Sequence, residues 1–581
     1  MSFRQRVSQI GLALGVVLAI GVPLLASAQT PPGASTTEPY TPAKDAQDLK
    51  AVLFNWMWGM GMLKGHDERD MVATLEYQGK GTIQVDGQPC TLTRFRASTN
   101  YQTFSQRIQY ACTRPNGQRF SNIEVVSGLY AWNEDVVGAE IGPTKGKPTP
   151  MANAVPERLI RIWASPQGAP KAALAGTIET WLLGANPGTL FADGVAKVRD
   201  TSVSWESGKP VVTFPIPGVP GATGTATLDA KYMTEKVVVT QGSTTTEFSY
   251  SDYQDWNNPL NKIEVFYAGK MIERRNGAVV RDLTTTETET GNVYVVVPVP
   301  ASVQAAIKPT GQLPKGVWAK PDAPVNTSAP TPRLGERPDL TGNWAHTDWI
   351  GNYMTGGGRR CGPTQGKDCN RSVNQTEDFE LYSPSRFGQL NRPLYKPEHW
   401  DKVIELDMWT NKYDPVMTCQ PLGVPRQGPP RRIYQSENDI TFLYFGGDAG
   451  GGYGEYRIIP TDGRKHTKEA EFDITYMGNT VGRWEGDTLV LDSIAFIDTT
   501  WLGRGGFFHS DRMRVVEKFT RKGDAIMYDV TVEDPEVLLE PWVLPTRTLR
   551  RNTNPNAGLL RERGNCETSF ETDAAATQIR H

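Results

Sequence analysis

Between Ser202 and Pro300 apolar and polar residues alternate almost without a break, in the runs VVTFPI, GTATLD, EKVVVTQ, TTEFSYSDY, KIEVFYAGKMIERR and NVYVVVPVP. A period of two puts every second side chain on one face, and that is the period of a β-strand. Strands this close in sequence pair antiparallel, so the stretch dictates a curved antiparallel sheet with Pro217-Gly218-Val219-Pro220-Gly221 as an exposed turn. The same pattern runs from Met71 to Tyr130, punctuated by turns at Asp86-Gly87 and Pro115-Asn116-Gly117. The 57 glycines and 42 prolines fit a chain made of short strands and turns rather than helices.

A second β-rich stretch spans Val481 to Asp534, with strands expected at Thr488–Phe496, Met513–Phe519 and Ile526–Val532. Glu485-Gly486-Asp487 and Lys522-Gly523-Asp524 have the chemistry of tight hairpin turns. The connection Trp501–Asp511 (WLGRGGFFHSD) is different: long, Gly-rich and aromatic. Such a connection on a rigid sheet is where function is usually carried.

At 581 residues the chain exceeds one core, and the composition shifts divide it. Residues 1–28 read as a secretory signal peptide: Arg4 and Arg6, an apolar run Ile10–Leu25, then Ala26-Ser27-Ala28. That run is shorter than the roughly twenty residues that span a bilayer, so no integral membrane segment is expected after cleavage. A disordered leader (29–44) precedes a half-barrel domain (45–300), a Pro-rich linker (301–337), a β-barrel domain (338–570) and a flexible tail (571–581). Within the first domain Asp45–Met62 reads as a helix with Leu49, Val52, Leu53, Trp56 and Met60 on one face, a plug in the sheet or a lid over an apolar cavity. Val155–Trp163 is an amphipathic helix, and a second is expected at Gly176–Gly184. A periplasmic or secreted location follows from the signal peptide.

Six cysteines in an exported chain point to disulfides. Cys90 and Cys112 flank a hairpin, and Cys361 and Cys369 close a short Gly-rich loop. Cys419 and Cys566 then pair by elimination, one of fifteen connectivities open to six cysteines. No C-x-x-C or H-E-x-x-H spacing occurs, so no metal or other cofactor is expected. A net charge of -3 argues against a nucleic-acid partner.

Two resemblances emerge from the residues. The succession PIPGVPGATGTATLDAKYMTEKVVV, TTEFSYSDYQDW and FYAGKMIERRNGAVVRDLTTTE is similar in outline to the lipoprotein-carrier half-barrels, in which helices sit in the mouth of an incomplete barrel that holds an acyl chain. Pro338-Asp339-Leu340-Thr341-Gly342-Asn343-Trp344, Tyr413-Asp414-Pro415, Cys419–Arg426, Gly478–Val490, Phe508–Asp511 and Val532–Pro535 resemble the marks of a broad, largely uncharacterised family of exported bacterial proteins ("PDLTG-W … GRWEGDTLV … HSD"). The second domain is expected to resemble the calycin barrels. Asn479 departs from the M-G-H-S form of that family, which puts a base at that position in doubt.

These readings give a mainly β protein of two antiparallel domains, half-barrel and barrel, with a few helices. Its function is expected to be binding of a hydrophobic or aromatic small molecule, lined by Trp484, Trp501, Phe507, Phe508, Trp56 and Trp58. The alternative is a cofactor-independent lyase, isomerase or hydrolase with His509 as acid/base and Asp511 or Glu485 as its carboxylate. In a strand, His509 and Asp511 share a face while Ser510 faces away, which rules out a Ser-His-Asp triad of neighbours. The structural alternatives are that His509 bonds a loop carbonyl and that Glu485 belongs to a hairpin turn. His466 reads as a loop residue, His399 and His66 as isolated, and Gly446–Gly454 as a hairpin tip.

Overall fold

The structure, a computed structural model, describes residues 42–62, 72, 74–101, 103–175, 180–181, 200–255, 265–291, 294–311, 315–316, 329–345, 393–408, 413–415, 420–444, 455–503, 506–544 and 546–553. The expected signal peptide, most of the leader, the tail, His66, Cys361, Cys369, Cys419, Cys566 and Gly446–Gly454 lie outside the described residues.

The first domain is a 13-stranded antiparallel sheet. One arm is a meander of β1 (Thr74–Val85), β2 (Gln88–Asn100), β3 (Ser105–Thr113), β4 (Arg119–Ser127), β5 (Tyr130–Glu134) and β6 (Pro148–Pro150). The other is β7 (Ser202–Glu206), β8 (Lys209–Pro215), β9 (Ala222–Leu228), β10 (Thr234–Gln241), β11 (Thr244–Asp255), β12 (Phe266–Arg275) and β13 (Ala278–Gly291). The arms join where β1 pairs with β13, Thr74 opposite Gly291, so the first and last strands meet mid-sheet and β6 and β7 are its edges. The alternation read from sequence is the burial pattern: Val212, Phe214, Val237, Val239 and Phe248 are buried on one face.

That face is filled by three helices, α1 (Leu49–Gly59), α2 (Val155–Trp163) and α3 (Gly168–Ala175). Asp48 caps α1 by accepting from the Ala51 N–H at 3.1 Å, so the helix starts four residues later than its apolar pattern suggested. A helix forms at Gly168–Ala175; of the 176–184 expected to be helical, Thr180–Trp181 form a short strand and the rest lie outside the described residues. The helix is buried all round, and its small residues Ala169, Ala172 and Ala173 give only a weak periodic signal. Cys90 and Cys112 form a disulfide between β2 and β3.

The run NVYVVVPVP, expected as a strand, is extended but belongs to no ladder among the described residues. Its alternation serves two cores instead of one sheet. Tyr294 and Val296 are buried in the second domain's core, whereas Val295 and Val297 pack with Val125 and Trp132 of the first. Side chains take the place of a partner strand: Asn100 donates to the Val295 carbonyl at 2.9 Å and Ser127 to that of Val297 at 2.8 Å. The stretch expected to be linker begins with a helix, α4 (Ala301–Ala306), and Val303 and Ile307 are buried against the same cluster.

The second domain is a 10-stranded sheet. It contains β14 (Gly342–Ala345), β15 (Arg432–Gln435), β16 (Asp439–Leu443), β17 (Tyr456–Pro460), β18 (Asn479–Glu485) and β19 (Thr488–Ile494). A two-stranded hairpin, β20 (Trp501–Gly503) with β21 (Phe507–Phe508), interrupts it before β22 (Arg514–Lys522), β23 (Ala525–Glu533), β24 (Trp542–Val543) and β25 (Arg547–Arg551). The path runs β17-β16-β15-β14-β25-β23-β22-β19-β18, and its two ends approach where the Gly463 N–H donates to the Gly482 carbonyl at 3.1 Å. Inside, Arg457 of β17 makes a bidentate pair with Glu517 of β22 at 2.7 and 3.0 Å. The Tyr444 hydroxyl accepts from Arg457, and that of Tyr528 donates to Glu517.

The two domains dock broadly. In front of helix α5 (Trp400–Met408), Tyr395 packs edge-on against Tyr294. The Arg107 guanidinium lies 4.7 Å from the Trp400 ring centroid, and Arg96 donates to Asp401. Gly138 has no room for a Cβ, which would lie 2.5 Å from Pro397. A protease site placed between residues 320 and 325 should therefore yield two fragments that still co-elute on size exclusion; separation of folded halves would contradict the joint.

Candidate functional site

The last turn of α1, the Asp229–Met233 turn between β9 and β10, and the adjoining ends of β11 and β12 enclose a cleft of about 840 Å³. Gly59 lets the helix come this close, because a Cβ there would lie 2.4 Å from the Lys231 carbonyl oxygen. Asp229 shapes the turn by accepting from the Lys231 and Met233 N–H groups, each at 2.8 Å. Met233, Tyr250, Tyr253 and Phe266 form the apolar wall, and Lys209, Asp229, Lys231, Glu235 and Asp252 the charged rim. Tyr250 donates to the Ala164 carbonyl at 2.7 Å and Tyr253 to that of Thr234 at 2.6 Å. Burial pushes both phenols well above their ordinary range, so they offer the cleft neutral rings.

Of the tryptophans expected to line a ligand, Trp56 is fully buried in the core, where its Nε1 donates to Thr234 Oγ1 at 2.9 Å. Trp58, 40% exposed, stacks on Phe54 and adjoins Gly59 of the cleft. Their sequence signal, a helix rich in Trp and Met, points to the helix whose last turn borders this cleft, and not to the residues of its wall. The wall residues themselves alternate like any strand residues, and only the curvature of the sheet exposes them.

The Trp501–Asp511 connection does different work. Phe507 stacks on Tyr395 and meets Tyr294 edge-on, while Phe508 carries the Tyr395 hydroxyl on its carbonyl and Lys402 over its ring. Trp501, Phe507 and Phe508 are all buried, and through Tyr294 the hairpin holds the segment that runs from the first domain into the second core.

His509 is buried. Its Nδ1 faces the Ser510 carbonyl at 2.8 Å and its Nε2 faces Thr500 Oγ1 at 2.7 Å. The carbonyl requires a proton on Nδ1, so in the neutral ring Nε2 accepts from the threonine hydroxyl. Asp511 is exposed on the following turn. The carboxylate that organises this turn is Asp534, which accepts from Ser510 N at 2.7 Å and Ser510 Oγ at 2.8 Å. Glu485 is paired with Arg483 at the tip of the β18–β19 hairpin. His509 packs on Phe496, beyond the other end of β19. Seven residues of strand put the two roughly 20 Å apart, so His509, Asp511 and Glu485 do not converge. Trp484 lies beneath Arg337, and Asp487 pairs with Arg333 at 3.0 Å, so this hairpin fastens the segment entering the domain.

Asp414 and Arg426, which the sequence offers only as parts of two separate family-like marks, form a fully buried bidentate pair at 2.7 Å for both bonds. They flank Gly423, whose φ of +73° and tight fit against Thr500 tie that loop to the His509 pocket. No group of three or more His, Cys, Asp or Glu among the described residues could hold a metal ion.

Burial lowers the His509 pKa below 6.5, against the opposing pull of the Ser510 carbonyl and Asp534. The unfolded ring takes up a proton below about pH 6.5 while the folded one does not. Stability is therefore full above pH 6.5 and falls as the pH drops toward the folded value. A His509→Gln variant should show a flatter melting temperature between pH 7 and 5; an unchanged slope would remove His509 from the linkage.

Comparison of the sequence with protein-family models finds no match, and no curated protein matches it at a significant level.

Proposed function

We propose that this chain is an exported binding protein for a hydrophobic or aromatic small molecule, held in the half-barrel cleft. The observation that carries the reading is the cleft of about 840 Å³ with Met233, Tyr250, Tyr253 and Phe266 on its wall and a charged rim. The outline likeness to carrier half-barrels and the signal-like residues 1–28 support export, to the periplasm or the medium. No helix among the described residues is long and apolar enough to cross a membrane. The arrangement around His509 gives the lyase, isomerase or hydrolase reading no support, since its nitrogens are engaged and both expected carboxylates lie elsewhere.

Ala230 lines the cleft and is exposed, so Ala230→Trp fills the space without disturbing the core. Mature protein should carry an apolar compound detectable by native mass spectrometry and bind an environment-sensitive apolar fluorophore. Ala230→Trp should weaken fluorophore binding at least tenfold at an unchanged melting temperature. Equal binding by both forms would place the ligand elsewhere.

A further inference from the structure

The cleft beside Gly59 owes its aromatic wall to a break in strand alternation. Tyr250 and Tyr253 stand three residues apart on β11, a spacing that puts two side chains of a regular strand on opposite faces. Both nevertheless line the cleft. Between them Asp252 takes a left-handed φ of +55°, uncommon for a residue with a side chain, and the alternation is lost there. The neighbouring strand β12 makes room with a glycine, since a Cβ at Gly269 would lie 2.5 Å from the Asp252 carbonyl oxygen. Backbone of this kind persists only where its surroundings enforce it, and it concentrates at ligand sites.

The two rings are also fixed. The Tyr250 hydroxyl is spent on the Ala164 carbonyl at the end of α2, and that of Tyr253 on the Thr234 carbonyl. The ring, rather than the hydroxyl, is what each tyrosine offers the cleft. Phe266 of β12 adds a third ring and Met233 a thioether. Tyr253 and Phe266 are only half-buried, so a guest in the cleft can touch them. Rings held in place favour a guest that stacks offset or meets them edge-on, contacts that an aliphatic chain of equal area does not make. The methionine sulfur adds to the same preference through its own contact with aromatic rings.

Resting on the binding reading above, we propose that the cleft selects a planar aromatic ring system over an aliphatic chain, with Tyr253 and Phe266 imposing the choice. The ligand class is then an aromatic compound and not an acyl chain.

The test is displacement of the apolar fluorophore from full-length mature protein by naphthylethanol and by decalinylethanol, its fully hydrogenated counterpart. The two share a carbon skeleton and a head group, and the saturated one is the more apolar, so burial of area alone favours it. The naphthyl compound should instead compete at a concentration at least about fivefold lower. Phe266→Leu should cut that preference at least about twofold, and Phe266→Tyr, which keeps the ring, should retain it. The wild-type comparison decides the matter even if a variant fails to fold. Equal competition, or the saturated compound ahead, with Ala230→Trp still weakening fluorophore binding, overturns the aromatic selection and leaves the cleft intact. A full preference in folded Phe266→Leu overturns it as well. Failure of both compounds, with wild type and Ala230→Trp alike in fluorophore binding, overturns the cleft reading and the selection together.

Discussion

Glu517→Leu should destabilise the second barrel by about 3–5 kcal/mol, the usual cost of leaving one member of a buried ion pair uncompensated. Glu517 is fully buried, and its removal strands the Arg457 guanidinium among Phe442, Tyr444 and Phe519. Burial by itself disfavours the charged arginine; the Glu517 carboxylate more than offsets this and holds its pKa above the ordinary value. The pair itself is not the source of stability, however. Replacing the whole network, with Arg457→Met, Glu517→Leu, Tyr444→Phe and Tyr528→Phe together, should recover most of the loss, because no polar atom is then left unpartnered. Denaturant midpoints of the single and quadruple variants decide the matter. A single variant within 1 kcal/mol of wild type would mean that water reaches Arg457 and the barrel is open there. The geometric role is clear: Arg457 sits on the edge strand β17 and Glu517 on β22, so the pair spans the interior and brings the sheet round on itself.

Removing the Cys90–Cys112 bond should be the second large effect. It closes a loop with a sequence separation of 22, for which the chain-entropy estimate is about 3 kcal/mol. Cys90 and Cys112 are both buried in the half-barrel core. A Cys90→Ala/Cys112→Ala variant therefore loses core contact as well, and should unfold at a distinctly lower denaturant concentration than wild type. Comparison with wild type treated with reductant separates the two contributions. If neither reduction nor substitution moves the midpoint, the β2–β3 pairing alone closes the loop in the unfolded ensemble.

How much of this was legible in the sequence depends on whether the information is local. The two-residue alternation of VVTFPI or TTEFSYSDY fixes which side chains share a face, because that follows from backbone geometry within a single strand. Turn chemistry is local too: Gly486 and Gly523 both take positive φ where the Glu-Gly-Asp and Lys-Gly-Asp turns require it. The Cys90–Cys112 pairing was within reach for the same reason, as both residues flank a tight hairpin.

What surrounds the candidate residues was not local information. A Gly-rich aromatic connection looks the same whether it closes on a ligand or on a neighbouring domain, and Trp501–Asp511 turned out to receive Tyr294 and Tyr395. Alternation in NVYVVVPVP likewise predicts two faces but not what covers them; here they are two different cores. His509 and Glu485 are 24 positions apart and were offered as a pair, yet Glu485 sits at the tip of the β18–β19 hairpin and His509 packs on Phe496 beyond the other end of β19. Asp414 with Arg426 and Arg457 with Glu517 give no periodic signal at all, since a charge is buried only when a partner arrives from another part of the chain. The sequence by itself determined the strands, their faces and their turns. The curl of the sheet, which opens the cleft beside Gly59, arose only when β1 met β13 and the helices filled the concave face.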